Sequence, residues 1–515
     1  MRTKNSAINI LISCTSYLML MISTFIVRSF FSDALGDAIL GVDKLFVDIV
    51  SMLAIVELGL GTGIVYKLYK PIADGDYSKI AVLLNFYKKA YGVITLTVLS
   101  LGFITAFIVP LAVKKEDFIF LDKAYLWYSF IFLFYVFDVI SSYLYAHKRA
   151  MLTADQKNYI NSLYHMIFQL IGCVFQIVVL FEFKSFVGYL IIKIIGRILE
   201  NILISYYYNK NYKEIDLKTK NIMPEDEKRD LFSNIKALLM HKIAGASLRS
   251  ASTLVLTNMV GLGINGLYSN YVLITGALTT ITSQFFNGIV ASFGNLISTE
   301  SKESMIKKFN VSFFLNFLMY SFFSITFFIV VKPFIISWLG EKWLLTPTST
   351  LLITIYMYLY GMRESIFMAR SSAGLYRQDR WFAILEAVIN IVLAIVLSNW
   401  LKLNGVLLAS IISLIAIPFW IQPIIVYRNL FKTNVWNYFS KYMIYAAVTI
   451  GSGIITYLIC GLLQFENNYL TLITNALCCF IIPNMINIII FYRTEEFQYL
   501  LGVLKSAINK IKNKN

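Results

Sequence analysis

The sequence predicts an all-α membrane protein that crosses the bilayer many times. Of its 515 residues, 58% are hydrophobic and 14% are charged, and the mean hydropathy is +0.69. Apolar runs of about 20 residues recur along the whole chain, and basic residues concentrate in every second segment between them. A water-soluble protein of this length cannot hide so much apolar side chain. Runs this long and uniform favour helices over barrel strands, because lipid forces every backbone polar group to be satisfied internally.

Fourteen runs are long and apolar enough to span the bilayer. They are residues 8–27, 45–66, 90–112, 125–146, 161–181, 187–208, 237–260, 266–297, 311–331, 350–369, 382–400, 406–426, 442–463 and 469–491. The first run lacks a small-x-small cleavage site and is long for a signal peptide, so we interpret it as a retained span. The eighth is rich in Ser, Thr, Gly and Asn, and we expect it to be kinked or to extend beyond the bilayer.

The basic residues predict the orientation of these spans. With the N-terminus in the cytoplasm and the spans alternating, 31 Lys and Arg residues fall in cytoplasmic segments and 9 in external ones. This asymmetry follows the positive-inside rule and places both termini in the cytoplasm. Most of the net charge of +16 therefore reflects topology, and no nucleic-acid partner is expected.

The longest segment between spans, residues 209–236, mixes acids and bases around Pro224 and is predicted to be a cytoplasmic linker. It separates two predicted six-helix lobes. The predicted order is a lobe at 1–208, the linker, a lobe at 237–430, a further helix pair at 431–492 and an amphipathic tail at 493–515. Charged segments at 154–157 and 377–380 stand six spans apart, as in a pseudo-two-fold repeat, although two ordinary loop-to-helix junctions would give the same pattern.

Several familiar sites are excluded. Residues 261–266 read Gly-Leu-Gly-Ile-Asn-Gly, but a dinucleotide site requires a soluble βαβ unit, and this segment is an external turn between spans. A Walker A sequence is not present, so the chain itself is not expected to use ATP. The five cysteines form no CxxC pair and there are three histidines, so we expect no metal and no cofactor.

Ionisable residues at membrane depth are the main candidates for function, because such charges are costly and face a cavity or a partner. Eleven are found: Arg28, Glu57, Asp138, Lys193, Arg197, Glu200, Lys242, Arg249, Arg363, Glu364 and Glu386. The spacing of Lys193, Arg197 and Glu200 places them on one helical face. Arg197 could pair with Glu200, and Arg363 with Glu386 or Asp138. Arg249 has no acid in its own span, which favours a functional role.

A guanidinium in a water-filled membrane cavity suits a phosphate or a carboxylate. The eighth span adds hydroxyl, amide and aromatic groups that could line a sugar-binding wall or simply form a helix interface in lipid. The wall candidates are Tyr268, Asn270, Tyr271 and Gln284. Glu57 and Asp138 could carry a coupling proton or Na⁺.

Residues 28–92 resemble the N-terminal signature of Gram-positive polysaccharide repeat-unit flippases of the Wzx type. The matching residues are Arg28, Leu35-Gly36, Gly41, Glu57-Leu58-Gly59, Tyr69-Lys70-Pro71 and Lys88-Lys89-Ala90-Tyr91. Gly266-Leu267-Tyr268-Ser269-Asn270-Tyr271 is similar to the start of the family's eighth helix. These flippases belong to the multidrug/oligosaccharidyl-lipid/polysaccharide (MOP) exporter superfamily.

The resemblance implies two lobes that rock around a central cavity and carry an undecaprenyl-pyrophosphate-linked oligosaccharide outward for capsule or exopolysaccharide synthesis. It implies that Arg28, Arg249 and Lys242 face the pyrophosphate; depth in the membrane adds Arg197 and Arg363. Coupling to H⁺ or Na⁺ and a partner polysaccharide polymerase are further expectations. The alternatives are a peptidoglycan-precursor flippase, a multidrug exporter of the same superfamily or, in another class, a membrane polysaccharide polymerase. The short external loops argue against an enzyme.

Overall fold

The computed structural model describes residues 2–57, 60–114, 124–217, 223–225, 228–229, 250–375, 378 and 380–512. Within these ranges the chain is helical and contains no strand. Nine helices in this part of the chain are long and apolar enough to cross a membrane. The predicted fold class, an all-α multi-pass membrane protein, is confirmed.

The first part of the chain forms seven helices. They are α1 (Arg2–Leu53), α2 (Leu60–Asp74), α3 (Tyr77–Ile108), α4 (Ala124–Tyr143), α5 (Ala146–Ala154), α6 (Asn158–Val178) and α7 (Phe186–Asn211). A break at Gly36 interrupts α1, where φ is 77° and only glycine is free of steric strain. Thus the segment that connects the first two predicted spans is itself helical on both sides of Gly36.

Eleven helices follow. They are α8 (residues 250–259), α9 (Leu262–Thr299), α10 (Lys302–Leu339), α11 (Pro347–Gly361), α12 (Glu364–Ser372), α13 (Arg380–Leu401), α14 (Leu403–Ala416), α15 (Pro418–Val426), α16 (Trp436–Leu462), α17 (Asn468–Phe491) and α18 (Glu495–Lys512). Helix α9 has 38 residues, a length of about 57 Å at the α-helical rise. That exceeds the thickness of the hydrocarbon core, as expected for the eighth span.

All fourteen predicted spans overlap helices, although only residues 250–260 of the seventh are described. Four spans are broken. The second, fourth, tenth and twelfth predicted spans each contain a turn that divides them into two helices. The turn in the second span is the 3₁₀ segment Ala54–Glu57, and the twelfth divides at Ile417, where Pro418 begins α15. A hydropathy average does not register such turns, because it carries no information on φ and ψ.

The chain divides into two compact units, Met1–Ser269 and Asn270–Asn515. The division lies inside α9. Half of the predicted linker at 209–236 lies outside the described residues, and the five predicted segments of the chain remain a prediction.

In the first unit, the part of α1 after Gly36 packs tightly on α8 and the start of α9. A Cβ at Gly41 would lie 2.0 Å from the carbonyl oxygen of Leu262, and one at Gly266 would lie 2.0 Å from that of Asp37. The glycines of the 261–266 segment therefore allow two backbones to touch, a structural use that small residues commonly have in membrane helices.

The second unit has an aromatic core. Phe317 stacks on Tyr445 with ring centroids 4.3 Å apart and rings 12° from parallel, and Phe491 meets the Phe317 ring edge-on at 5.4 Å. The predicted amphipathic tail is helix α18, which this unit holds through a 2.5 Å ion pair between Lys441 Nζ and Glu496 Oε1.

Candidate functional site

The charged face of α7 meets a carboxylate on a neighbouring helix. Lys193 and Arg197, one helical turn apart, lie on the side of α7 that packs on α4. The Lys193 Nζ atom lies 3.1 Å from Asp138 Oδ2, and Arg197 Nε lies 3.5 Å from Asp138 Oδ1. Asp138 is therefore bound between two cations on the next helix.

The same network continues toward the end of the unit that is predicted to be cytoplasmic. Glu200, which is 2% exposed, accepts a 2.7 Å hydrogen bond from Arg149 Nη2. Its second carboxylate oxygen is 3.1 Å from His165 Nδ1 and 3.9 Å from Arg197 Nη1. Arg197 thus lies between two acids. The ion pair between Arg197 and Glu200 that the sequence allows is present, and Arg197 also pairs with Asp138.

At its other end the network reaches α1. Lys193 Nζ lies over the Tyr135 ring, 5.3 Å from its centroid, and the Tyr135 hydroxyl donates a 2.6 Å hydrogen bond to Asp43 Oδ1. A continuous series of polar groups therefore runs through the first unit from Asp43 to Glu200.

Two cavities lie along this series of polar groups. The larger, about 90 Å³, is lined by Arg28 and Asp43 together with Gln169 and Gln176. The smaller, about 10 Å³, is bordered by the same two glutamines and by the charged face of α7. A cavity needs roughly 10–15 Å³ to hold one water. The larger cavity therefore has room for several water molecules, and the smaller for about one.

Arg28 differs from the other described cations of the network. Among the described residues its guanidinium makes one hydrogen bond, a long one of 3.4 Å from Nη1 to Ser269 Oγ. It has no ion pair with a carboxylate in this part of the chain, whereas Lys193 and Arg197 do. Arg28 therefore lines the larger cavity without a close ion pair, and the Asp43 carboxylate lines the same cavity.

The remaining predicted cations lie elsewhere or outside the described residues. Arg363, in the second unit, donates to Gln422 Oε1 from Nε at 3.3 Å and from Nη2 at 3.1 Å. Its guanidinium carbon also stacks over the Tyr360 ring at 5.4 Å. Its partner is therefore an amide and an aromatic face, in place of the acids considered from the sequence. Lys242 and Arg249 fall outside the described residues, and their roles remain predictions.

The predicted coupling carboxylates have different surroundings. Glu57 ends the 3₁₀ turn that divides the second span, and its Oε1 atom accepts a 2.7 Å hydrogen bond from the Tyr91 hydroxyl. Asp138 is held by Lys193 and Arg197 as described above. A role of Glu57 or Asp138 in carrying a coupling proton or Na⁺ stays a prediction.

The predicted sugar wall is spread over different environments. Tyr271 is 1% exposed, and its hydroxyl accepts a 3.0 Å hydrogen bond from the Leu345 backbone, which is a packing role. The buried amide of Asn270 makes no hydrogen bond within the described part of the chain. Tyr268 is partly buried and Gln284 is exposed. Tyr268 and Gln284 are thus the accessible members of the predicted wall.

Sequence reasoning missed four members of the network. Arg149 lies between the fourth and fifth predicted spans and Asp43 between the first and second, and neither Tyr135 nor His165 is among the candidates from the sequence. His165 lies inside the predicted fifth span, so its depth was a usable signal. The described residues contain no group of three or more His, Cys, Asp or Glu side chains that could hold a metal ion.

Comparisons with solved structures identify the architecture. The lipid II flippase MurJ in an inward closed conformation superimposes with a TM-score of 0.68 at 14% identity, covering 94% of this chain and 99% of that one. An inward-facing multidrug resistance MATE family transporter of the MOP superfamily gives 0.61 at 12% identity, covering 82% and 99%. A MOP superfamily transporter from Pyrococcus furiosus gives 0.53 at 14% identity, covering 82% and 96%.

The chain shares the fold of these three solved structures. No protein-family profile and no curated protein sequence matches it. The likeness therefore concerns the fold, and the choice of substrate must be argued from the chain's own residues.

Proposed function

We propose that this protein flips an undecaprenyl-pyrophosphate-linked oligosaccharide from the cytoplasmic to the outer leaflet, for capsule or exopolysaccharide synthesis. The observation that carries the proposal is Arg28, a guanidinium on a membrane helix that lines a polar cavity and makes no ion pair with a described carboxylate. A desolvated guanidinium binds phosphate oxygens in a bidentate manner. The fold shared with MurJ and the sequence resemblance to Wzx-type flippases support the same reading.

In this mechanism the pyrophosphate is the group that the protein must accompany across the apolar layer. Arg28 offsets its negative charge, with Arg249 and Lys242 as the predicted partners. Tyr268 and Gln284 offer a hydroxyl and an amide to the sugars. Transport is proposed to proceed by alternating access, so that the charged headgroup crosses while the lipid tail stays in the bilayer. H⁺ or Na⁺ coupling and delivery to a polysaccharide polymerase complete the proposal.

A second candidate is a peptidoglycan-precursor flippase, which the 0.68 TM-score with a lipid II flippase favours. The two candidates share the lipid-linked pyrophosphate and differ in the sugar portion. A multidrug exporter is less consistent with the site, because a guanidinium that makes no ion pair with a described carboxylate disfavours cationic drugs.

Purified protein in proteoliposomes separates these candidates. Three probes are added in parallel: an undecaprenyl-pyrophosphate-linked oligosaccharide, lipid II and a cationic dye. Flipping is read as modification of the sugar by an enzyme on one side of the membrane, and export as loss of dye. We expect flipping of the lipid-linked oligosaccharide and retention of the dye. Dye export without flipping of either lipid would overturn the proposal, and flipping of lipid II alone would establish the second candidate.

A further inference from the structure

The last helix of the chain begins directly after a membrane helix ends. Helix α17 ends at Phe491 and α18 begins at Glu495, so three residues separate the two. Thr494 caps the new helix, because its Oγ1 atom accepts a 3.4 Å hydrogen bond from the Phe497 backbone amide. The Gln498 side chain donates back to the carbonyl oxygen of Tyr492 at 2.6 Å. Helix α18 therefore starts at the boundary of the apolar layer that α17 crosses.

The first turn of α18 is fixed to two helices of the second unit. Glu496 Oε1 lies 2.5 Å from Lys441 Nζ of α16. The Phe497 ring meets the ring of Phe314 on α10, with centroids 6.3 Å apart. An ion pair and an apolar contact thus hold the start of the helix against α10 and α16.

An apolar face continues beyond these contacts. Phe497, Leu500 and Leu501 are spaced three and four residues apart, so they share one face of α18, and all three are partly buried. The sequence continues this spacing with apolar residues at positions 504, 508 and 511. The helix has 18 residues, a length of about 27 Å at the α-helical rise. An amphipathic helix of this kind, placed where a membrane span ends, lies in the plane of the interface.

The charge of α18 changes sign along its length. Both acids lie in the first turn, where Glu496 is paired as described and Glu495 Oε2 lies 3.4 Å from Lys307 Nζ. Residues 497–515 contain four lysines and no acid, and Lys505 is exposed. An apolar face accompanied only by positive charge complements a lipid surface that carries negative headgroups.

We propose that α18 docks on the predicted cytoplasmic leaflet by binding anionic phospholipid headgroups. The apolar face enters the boundary between headgroups and acyl chains, and the lysines meet the lipid phosphates. Lys505, four residues after Leu501, lies beside the apolar face and can reach them. Because the first turn is fixed to α10 and α16, an anionic leaflet holds these two helices at the interface through α18. This docking does not depend on which cargo the protein carries.

The test is hydrogen exchange of α18 in the full-length protein. The protein is placed in nanodiscs of phosphatidylcholine alone, or of phosphatidylcholine with phosphatidylglycerol, without any lipid-linked substrate. Both faces of a nanodisc are accessible, so the result does not depend on the orientation of the chain. Wild type is compared with Lys505→Glu. Lys342→Glu is the control, because Lys342 is an exposed lysine of the same unit in the turn before α11.

We expect the amides of residues 500–512 in wild type and Lys342→Glu to exchange on the order of 10-fold more slowly when phosphatidylglycerol is present. Sodium chloride at about 1 M should remove most of this protection, since it shortens the Debye length to about 3 Å. Lys505→Glu, with an unchanged melting temperature, should lose most of it.

Equal exchange of wild type in the two lipids would overturn the proposal. Fast exchange in both would leave the face to water or to a protein partner, and slow exchange in both would mean that contacts within the chain cover it. Equal protection in Lys505→Glu and wild type would overturn it as well. A protein whose α18 docks but which flips no lipid-linked oligosaccharide would leave this inference intact and refute the proposed function alone.

Discussion

Two arginines at membrane depth illustrate how surroundings decide the use of a charge. Arg197 lies between Asp138 and Glu200, so its charge is neutralised inside the first unit. Arg28 lines a cavity and has one long hydrogen bond, to Ser269. Removing one partner from a buried ion pair leaves the other charge unsatisfied. We therefore infer that Arg197 stabilises the unit, whereas Arg28 is free to bind an anion.

His147 gives the first unit a pH-dependent stability. Burial, with the positive charges of Lys148 and Lys88 nearby, lowers the pKa of His147 from 6.5 to about 4. As the pH falls below 6.5, the unfolded chain takes up this proton before the folded chain does, so the folded state loses stability until about pH 4. The expected loss is on the order of 3 kcal/mol. His147→Gln should lack this acid-induced loss of stability. Melting temperatures of wild type and variant between pH 7.5 and 4.5 would measure the difference.

Other groups titrate over the same range, so the informative quantity is the difference between wild type and His147→Gln. The variant should show a shallower decline with acidification. Parallel pH profiles for the two proteins would mean that His147 does not supply the effect.

At the residue scale, part of the site is accessible from the sequence. The spacing of Lys193, Arg197 and Glu200 predicts their shared face, because helical periodicity is local. Asp138, the partner of Lys193 and Arg197, comes from another helix, and the sequence offers no measure of that distance. The partner of Arg363 is equally hidden from the sequence. The sequence suggests Glu386 or Asp138, whereas the side chain donates to Gln422.

At the scale of elements, the contact between α1 and the start of α9 depends on missing side chains. A Cβ at Gly41 would lie 2.0 Å from a backbone oxygen of Leu262, and the backbone cannot yield as a side chain does. Gly41→Ala should therefore destabilise the protein by about 1–3 kcal/mol, the usual cost of overpacking. Thermal unfolding in detergent measures this.

Gly276 in α9 supplies the matched control. A Cβ there meets no atom within 4 Å, so Gly276→Ala should be neutral or should stabilise by up to about 1 kcal/mol through helix propensity. Equal melting temperatures for the two variants would show that the α1 contact is looser than described.

The broken spans show why helix positions are predictable and their interruptions only partly so. Apolar runs fix where helices cross, since lipid imposes length and composition. Pro418 marks the break in the twelfth span within the sequence itself, because proline lacks the amide hydrogen that continuation requires. The break at Met362 depends on the Asn316 amide of α10. That contact is 46 residues away in sequence, and no local pattern reports it.

At the scale of the whole molecule, one fold serves flippases and drug exporters. MurJ and a MATE transporter both superimpose on this chain over at least 82% of its length. The shared fold does not by itself identify a cargo, so the proposed substrate is argued from the charges of this chain. Under the proposed function, Arg28, which makes no ion pair with a described carboxylate, is the described residue proposed to meet the pyrophosphate.

The most direct test of the account is flipping of an undecaprenyl-pyrophosphate-linked oligosaccharide in proteoliposomes by wild type, Arg28→Gln and Arg428→Gln. Arg428 is an exposed residue of the second unit. Arg428→Gln is therefore the control, because it removes one positive charge, as Arg28→Gln does, at a position away from the cavity. We predict that wild type and Arg428→Gln flip the lipid at similar rates. Arg28→Gln, folded and reconstituted to the same level, should flip on the order of 10- to 100-fold more slowly, from the loss of one charge-assisted contact. Equal rates for all three proteins would contradict the central claim that Arg28 carries the pyrophosphate.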